Sequence, residues 1–94
     1  MIFLSVDNQR KEKRLPYTAC LQYTVYGDPT GKLHTCVAVD RSKSGMGIMS
    51  STPLDFGQFI ILNMQHEQNA SPAQAMVQWS APVGVNFRVG LTFI

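Results

Sequence analysis

Residues 17–25 read YTACLQYTV, and their alternation decides the fold class. Tyr17, Ala19, Leu21, Tyr23 and Val25 fall on one face, with Thr18, Gln22 and Thr24 on the other. That period of two belongs to an extended strand with one face on a core. The turn residues Gly27-Asp28-Pro29-Thr30-Gly31 close it, because Gly, Pro and Asp each favour the dihedrals of a reversal. A second strand follows, with Leu33, Thr35, Val37 and Val39 predicted as its apolar face, and it ends in the polar turn Asp40-Arg41-Ser42-Lys43-Ser44-Gly45.

Beyond the turn, residues 46–50 form a short third strand. The run Phe59-Ile60-Ile61-Leu62 is apolar on both faces, which predicts a central fourth strand covered on both sides. Ala73, Ala75, Val77 and Trp79 alternate with Gln74, Gln78 and Ser80, and Phe87, Val89, Leu91 and Phe93 alternate with Asn86, Arg88 and Thr92. On this pattern Trp79, Phe87 and Phe93 are core residues. Tyr23 and Tyr26 fall on opposite faces, which predicts that one of them is exposed. No window holds a 3.6-residue period over three turns, so the expected fold is all-β with little helix. Six short antiparallel strands at this spacing indicate a small barrel, which also removes exposed sheet edges.

The segment 5–14 holds one apolar side chain in ten, too few to bury a face, and reads as a flexible arm. With 94 residues the chain suits a single domain, divided into an arm over 1–15 and a barrel over 16–94. The apolar run Met1-Ile2-Phe3-Leu4 is too short for a signal-peptide core or a bilayer span. The expectation is a cytoplasmic protein with no membrane insertion and with Cys20 and Cys36 as thiols. His34 and His66 belong to no C-x-x-C or H-x-x-x-H spacing, so no metal is expected. No nucleophile elbow, P-loop, paired-carboxylate signature or Ser, His and Asp grouping is visible, so no catalytic residue is assigned and no cofactor or enzymatic activity is expected.

Net charge is +2, too small for a polyanion binder, yet six of the eight Lys and Arg residues lie in two short clusters. Arg10, Lys11, Lys13 and Arg14 form the first, and Arg41 and Lys43 the second. Within them, Arg10 and Arg14 stand four apart, and Asp40, Ser42 and Gly45 follow the spacing D-x-S-x-x-G between two predicted strands. Their order, and the six-strand pattern around them, resemble the PilZ domain family, whose signature is RxxxR followed by (D/N)xSxxG. The resemblance extends through Met46-Gly47-Ile48, Val77-Gln78-Trp79 and Val89-Gly90-Leu91-Thr92-Phe93. One departure is that the sequence ends at Ile94 without the C-terminal helix many members carry, as expected of a minimal or excised version.

The resemblance implies a barrel of the split type that binds cyclic di-GMP and signals to a downstream protein. Arg10 and Arg14 would then contact phosphate and guanine, because the guanidinium fork suits phosphate oxygens and guanine O6 and N7 two bonds at a time. Asp40, an acceptor, would serve the guanine N1 and N2 donors or hold an arginine in place. Ser42 would donate its hydroxyl, and Gly45 would take a positive φ or let backbone approach the ligand. Gln9, Lys13, Arg41 and Lys43 are accessory candidates, with Arg41 and Lys43 read chiefly as solubilising. The competing reading is a PilZ-fold adaptor that binds protein and no nucleotide. A single-stranded nucleic-acid barrel would require exposed aromatics beside the basic patch, and no nucleic-acid partner is expected. Monomer and dimer are both compatible with the sequence.

Overall fold

The structure is a computed structural model that describes residues 15–63 and 72–94. Six strands follow in order: β1 Leu15–Val25, β2 His34–Arg41, β3 Gly45–Ser50, β4 Phe59–Asn63, β5 Ala73–Val83 and β6 Asn86–Phe93. They close into an antiparallel barrel in the order β1-β2-β3-β6-β5-β4, with β4 returning to β1. Helix is absent among the described residues. The expected all-β barrel is therefore the observed one, and each strand edge finds a neighbour.

Each strand contributes a pair of side chains to one interior: Leu21 and Tyr23, Cys36 and Ala38, Met46 and Ile48, Ile60 and Leu62, Ala75 and Val77, Val89 and Leu91. Leu54, from the connection before β4, joins them. Tyr23 is fully buried, and its hydroxyl is satisfied inside the barrel. Ser50 gives its proton to the Thr52 carbonyl at 3.0 Å, so Tyr23 donates to Ser50 Oγ at 2.8 Å. The Thr52 N–H closes the network on Ser50 Oγ, and the His34 ring stacks on Tyr23. A buried polar group bonded this way avoids the cost of an unmet donor, and burial pushes the Tyr23 phenol upward in pKa. Tyr26, on the opposite face, is exposed as expected.

Three expectations about faces are corrected. In β2 the inward residues are Cys36 and Ala38, whereas Leu33, Thr35 and Val37 face out. The pairing decides this: Leu21 stands opposite Cys36 and Ala19 opposite Ala38, and antiparallel partners share a face. Cys36-Val37-Ala38-Val39 is apolar at every position, so its period is silent and only the partner strand selects a face. In β4, Ile60 and Leu62 are buried while Phe59 is exposed, because a closed barrel has one inside and the described residues supply no second layer. The third correction concerns Trp79, which is 47% exposed.

Trp79 faces out because β5 carries an irregularity. Val77 pairs with Leu91 and Trp79 with the adjacent Gly90, so two residues of β5 span one step of β6. An extra residue in one strand reverses the face of everything beyond it. The same break occurs in β2, where Ala38 pairs with Ile48 and Asp40 with Gly47.

The two thiols lie on opposite faces of the barrel wall: Cys20 is exposed and Cys36 buried, and both are free. Burial first, and Cys20 second, push the Cys36 thiol up to about 12. A thiol reagent near neutral pH is thus expected to modify Cys20 alone in the native protein and to reach Cys36 only after denaturation. Equal labelling rates would contradict the inward face of β2. In urea titrations, Ile48→Ala should cost about 2–5 kcal/mol, and Val37→Ala less than about 0.5 kcal/mol.

Candidate functional site

The β2–β3 hairpin fixes the D-x-S-x-x-G turn from both sides. Across it the Ser42 N–H donates to the Gly45 carbonyl at 2.9 Å, and from β6 the Phe93 N–H donates to the Ser44 carbonyl at 2.7 Å. Gly45 is buried and pairs with Thr92 as the first residue of β3. The left-handed φ values among the described glycines fall at Gly27, Gly31, Gly57 and Gly84, so Gly45 serves as a tightly packed strand position and not as a positive-φ corner. Ser42 is half-buried and Lys43 exposed.

Arg41 does more than solubilise. It is half-buried, and its guanidinium carbon lies 5.7 Å from the centre of the Phe93 ring, within the range of a cation–π contact. Phe93 in turn packs against the core. The turn is therefore closed by one internal backbone bond and tied to β6 by another and by a stacked side chain, which makes it a rigid element.

Beside the turn, the break in β2 turns Asp40 outward. Registers then align Asp40 with Gly47, Gly47 with Gly90 and Gly90 with Trp79 in one row across β2, β3, β6 and β5. With strands about 4.8 Å apart, the row spans roughly 14 Å. Its two central residues have no side chains, and the end residues lean over them. A Cβ at Gly47 would lie 2.8 Å from Asp40 Oδ1, and one at Gly90 would lie 2.1 Å from Trp79 Nε1. The result is a shallow floor of bare backbone, edged by a carboxylate and an indole.

The Asp40 carboxylate is held at both oxygens. The Gly47 N–H donates to Oδ1 at 3.0 Å, and Arg88 donates from Nη2 to Oδ2 at 2.9 Å in an ion pair. Arg88 reaches it from β6, and its Nε is buried without an acceptor.

Asp40, Arg41, Ser42, Lys43 and Gly45 thus lie together on one rim of the barrel. Gln9, Arg10, Lys13 and Arg14 lie outside the described residues, as does His66. Arg88, Gly47, Gly90 and Trp79 are additional to the residues assigned from sequence. Two signals for them exist in the chain: glycines inside strands mark close approach, and Arg88 is the cation of an otherwise neutral strand. A wider concavity of about 660 Å³ lies on the outer wall around Gln22, Thr35, Val37, Met49 and Asn86, and among the described residues no charged side chain lines it. No group of three or more metal-ligating side chains occurs among the described residues.

Residues 8–94 match the family model of the PilZ domain, nearly the whole chain. No curated protein matches it.

The chain has a single tryptophan, so its fluorescence reports this site alone. Gly90→Ala should push the indole off the floor, shifting Trp79 emission to the red and costing about 1–3 kcal/mol by overpacking. An unchanged spectrum would contradict the close packing of Trp79 on Gly90.

Proposed function

The chain belongs to the PilZ domain family, and from that premise we propose that it is a receptor for cyclic di-GMP that signals to a partner protein. PilZ domains are binding domains and not enzymes, and among the described residues no helix is long and apolar enough to cross a membrane. The observation that carries the proposal is the placement of the motif turn. β1 opens at Leu15, whose Cα partner is Arg41, so the residue before it, Arg14, is joined to a strand end beside Asp40, Ser42 and Gly45.

On this reading the turn and floor form a fixed half-site. Asp40 accepts from the guanine N1 and N2 donors, a complement that only an acceptor can make. Ser42 donates to a phosphate or a base, and the buried backbone at Gly45 sets the depth of approach. Arg10 and Arg14 supply the forks for phosphate and for O6 and N7, which a lysine would do poorly. The ligand's charge draws segment 1–14 across the barrel, and the reshaped surface is what a downstream protein reads.

Trp79 fits the same scheme. An exposed indole at the end of the floor offers a π-face to a base, a contact worth about 1–3 kcal/mol in single-strand binding. Aromatic exposure beside basic residues is also what a nucleic-acid barrel requires. Net charge of +2 and a carboxylate in the centre of the face favour a small guanine nucleotide over a polymer.

Calorimetric titration with cyclic di-GMP, beside GTP as control, tests the proposal. Saturable binding selective for cyclic di-GMP is expected. Arg10→Ala and Arg14→Ala should each weaken it by roughly 10- to 100-fold, the loss of one or two charge-assisted bonds, with the circular dichroism spectrum unchanged. Folded, nucleotide-free protein that gives no heat would sink the receptor reading and leave the protein-binding adaptor. An oligonucleotide that competes would point to the nucleic-acid barrel.

A further inference from the structure

Arg88 touches Asp40 across an entire intervening strand. Asp40 sits on β2 and Arg88 on β6, with β3 between them, so their backbones stand about 10 Å apart. The pair closes because the position between them is Gly47, where even a Cβ would meet Asp40 Oδ1 at 2.8 Å. Three residues from three strands are therefore adapted to one contact.

Stability gives little reason for that contact. The pair is part-buried, with side chains 35% and 25% exposed, and in that setting the attraction is largely offset by the cost of desolvating both charges. Arg88 reaches Asp40 through Nη2 rather than by the two-pronged grip that suits a carboxylate, and its buried Nε finds no acceptor among the described residues. Binding offers a better reason. A carboxylate is needed for guanine donors, yet the proposed ligand brings two phosphate charges, which a bare carboxylate repels. A cation fixed to the far side of Asp40 removes that conflict.

We propose that Arg88 is a third arginine of the ligand site, a positioning residue that acts through Asp40. It orients the carboxylate toward the guanine edge and cancels its charge, so that one face accepts both a base with two donors and a dianionic backbone. Gly47 serves the same end by leaving the path open. This assignment rests on the cyclic di-GMP reading and deepens it.

Titration of wild type, Arg88→Met, Arg88→Lys, Asp40→Asn and the double variant Asp40→Asn/Arg88→Met with cyclic di-GMP, at low and high salt, tests it. Arg88→Met should bind about tenfold or more weakly at low salt, with the deficit shrinking as salt screens the exposed carboxylate. Arg88→Lys should recover most of the affinity. The decisive comparison is the double variant, which lacks an acceptor as well as both charges and should bind weakly with a deficit that salt leaves unchanged, unlike that of Arg88→Met. A merely structural arginine would lower the melting temperature without producing that difference in salt dependence. Should Arg88→Met fail to fold, Arg88→Gln, which keeps a donor and loses the charge, takes its place in the same comparison. Wild-type affinity in the neutral variant, or a deficit in Arg88→Met that salt shrinks no more than it does in the double variant, would overturn the assignment and leave the receptor reading intact. Absence of binding by wild type would instead remove that reading, and the role of Arg88 with it.

Discussion

A strand shows alternate side chains to alternate faces, and in a closed barrel one of those faces is a core with no room for charge. Without interruption, that rule would send Asp40 inward behind Ala38 and Trp79 inward behind Val77. One extra residue in β2 and one in β5 reverse the phase at those points. The outer face gains a carboxylate at one end of a row and an indole at the other, while the interior below them stays apolar. Everything argued about the site depends on those two irregularities, because they convert core register into surface chemistry within a single step. Bulges of this kind re-aim side chains near functional sites in many sheets.

The barrel contributes stiffness as well as direction. Its interior is filled by two residues from each strand around Tyr23, whose hydroxyl is bonded through Ser50. The motif turn hangs on that scaffold by a backbone bond from Phe93 of β6 and by Arg41 over Phe93. Rigid placement lowers the entropy a ligand must overcome, since side chains already ordered lose nothing further on binding. Gly47 and Gly90 contribute by absence, leaving room for Asp40 to lie over the one and meet Arg88, and for Trp79 to lie over the other.

Alternation in β1 and β6 and the turn residues between strands were sufficient to read the barrel from sequence, since binary pattern and turn chemistry agreed there. The face of β2 was not legible. Cys36, Val37, Ala38 and Val39 are all apolar, and the choice between them belongs to Leu21 and Ala19 on the neighbouring strand. Trp79 was misplaced for a related reason: a bulge leaves no mark in an apolar count, and the clue lay in its partner Gly90, about ten residues away. The D-x-S-x-x-G turn between β2 and β3 was visible because turn spacing is local. Arg88 was not, because its contact with Asp40 joins residues 48 apart in the chain.

The shape of this face bears on how it would hold a ligand. A floor of two glycines edged by Asp40 and Trp79 is shallow, and a ligand lying on it keeps one side in water. Flat sites gain little from desolvation, and charged bonds made there compete with solvent. Affinity at such a site must come from a second wall. On the proposed reading that wall is residues 1–14, which the chain joins to β1 at Leu15, the Cα partner of Arg41. Division of the site into a fixed half that selects guanine and a segment that covers the phosphates would make closure part of recognition. The surface changed by closure would then be set by whether the ligand is there, which is the property a receptor requires and a static pocket lacks.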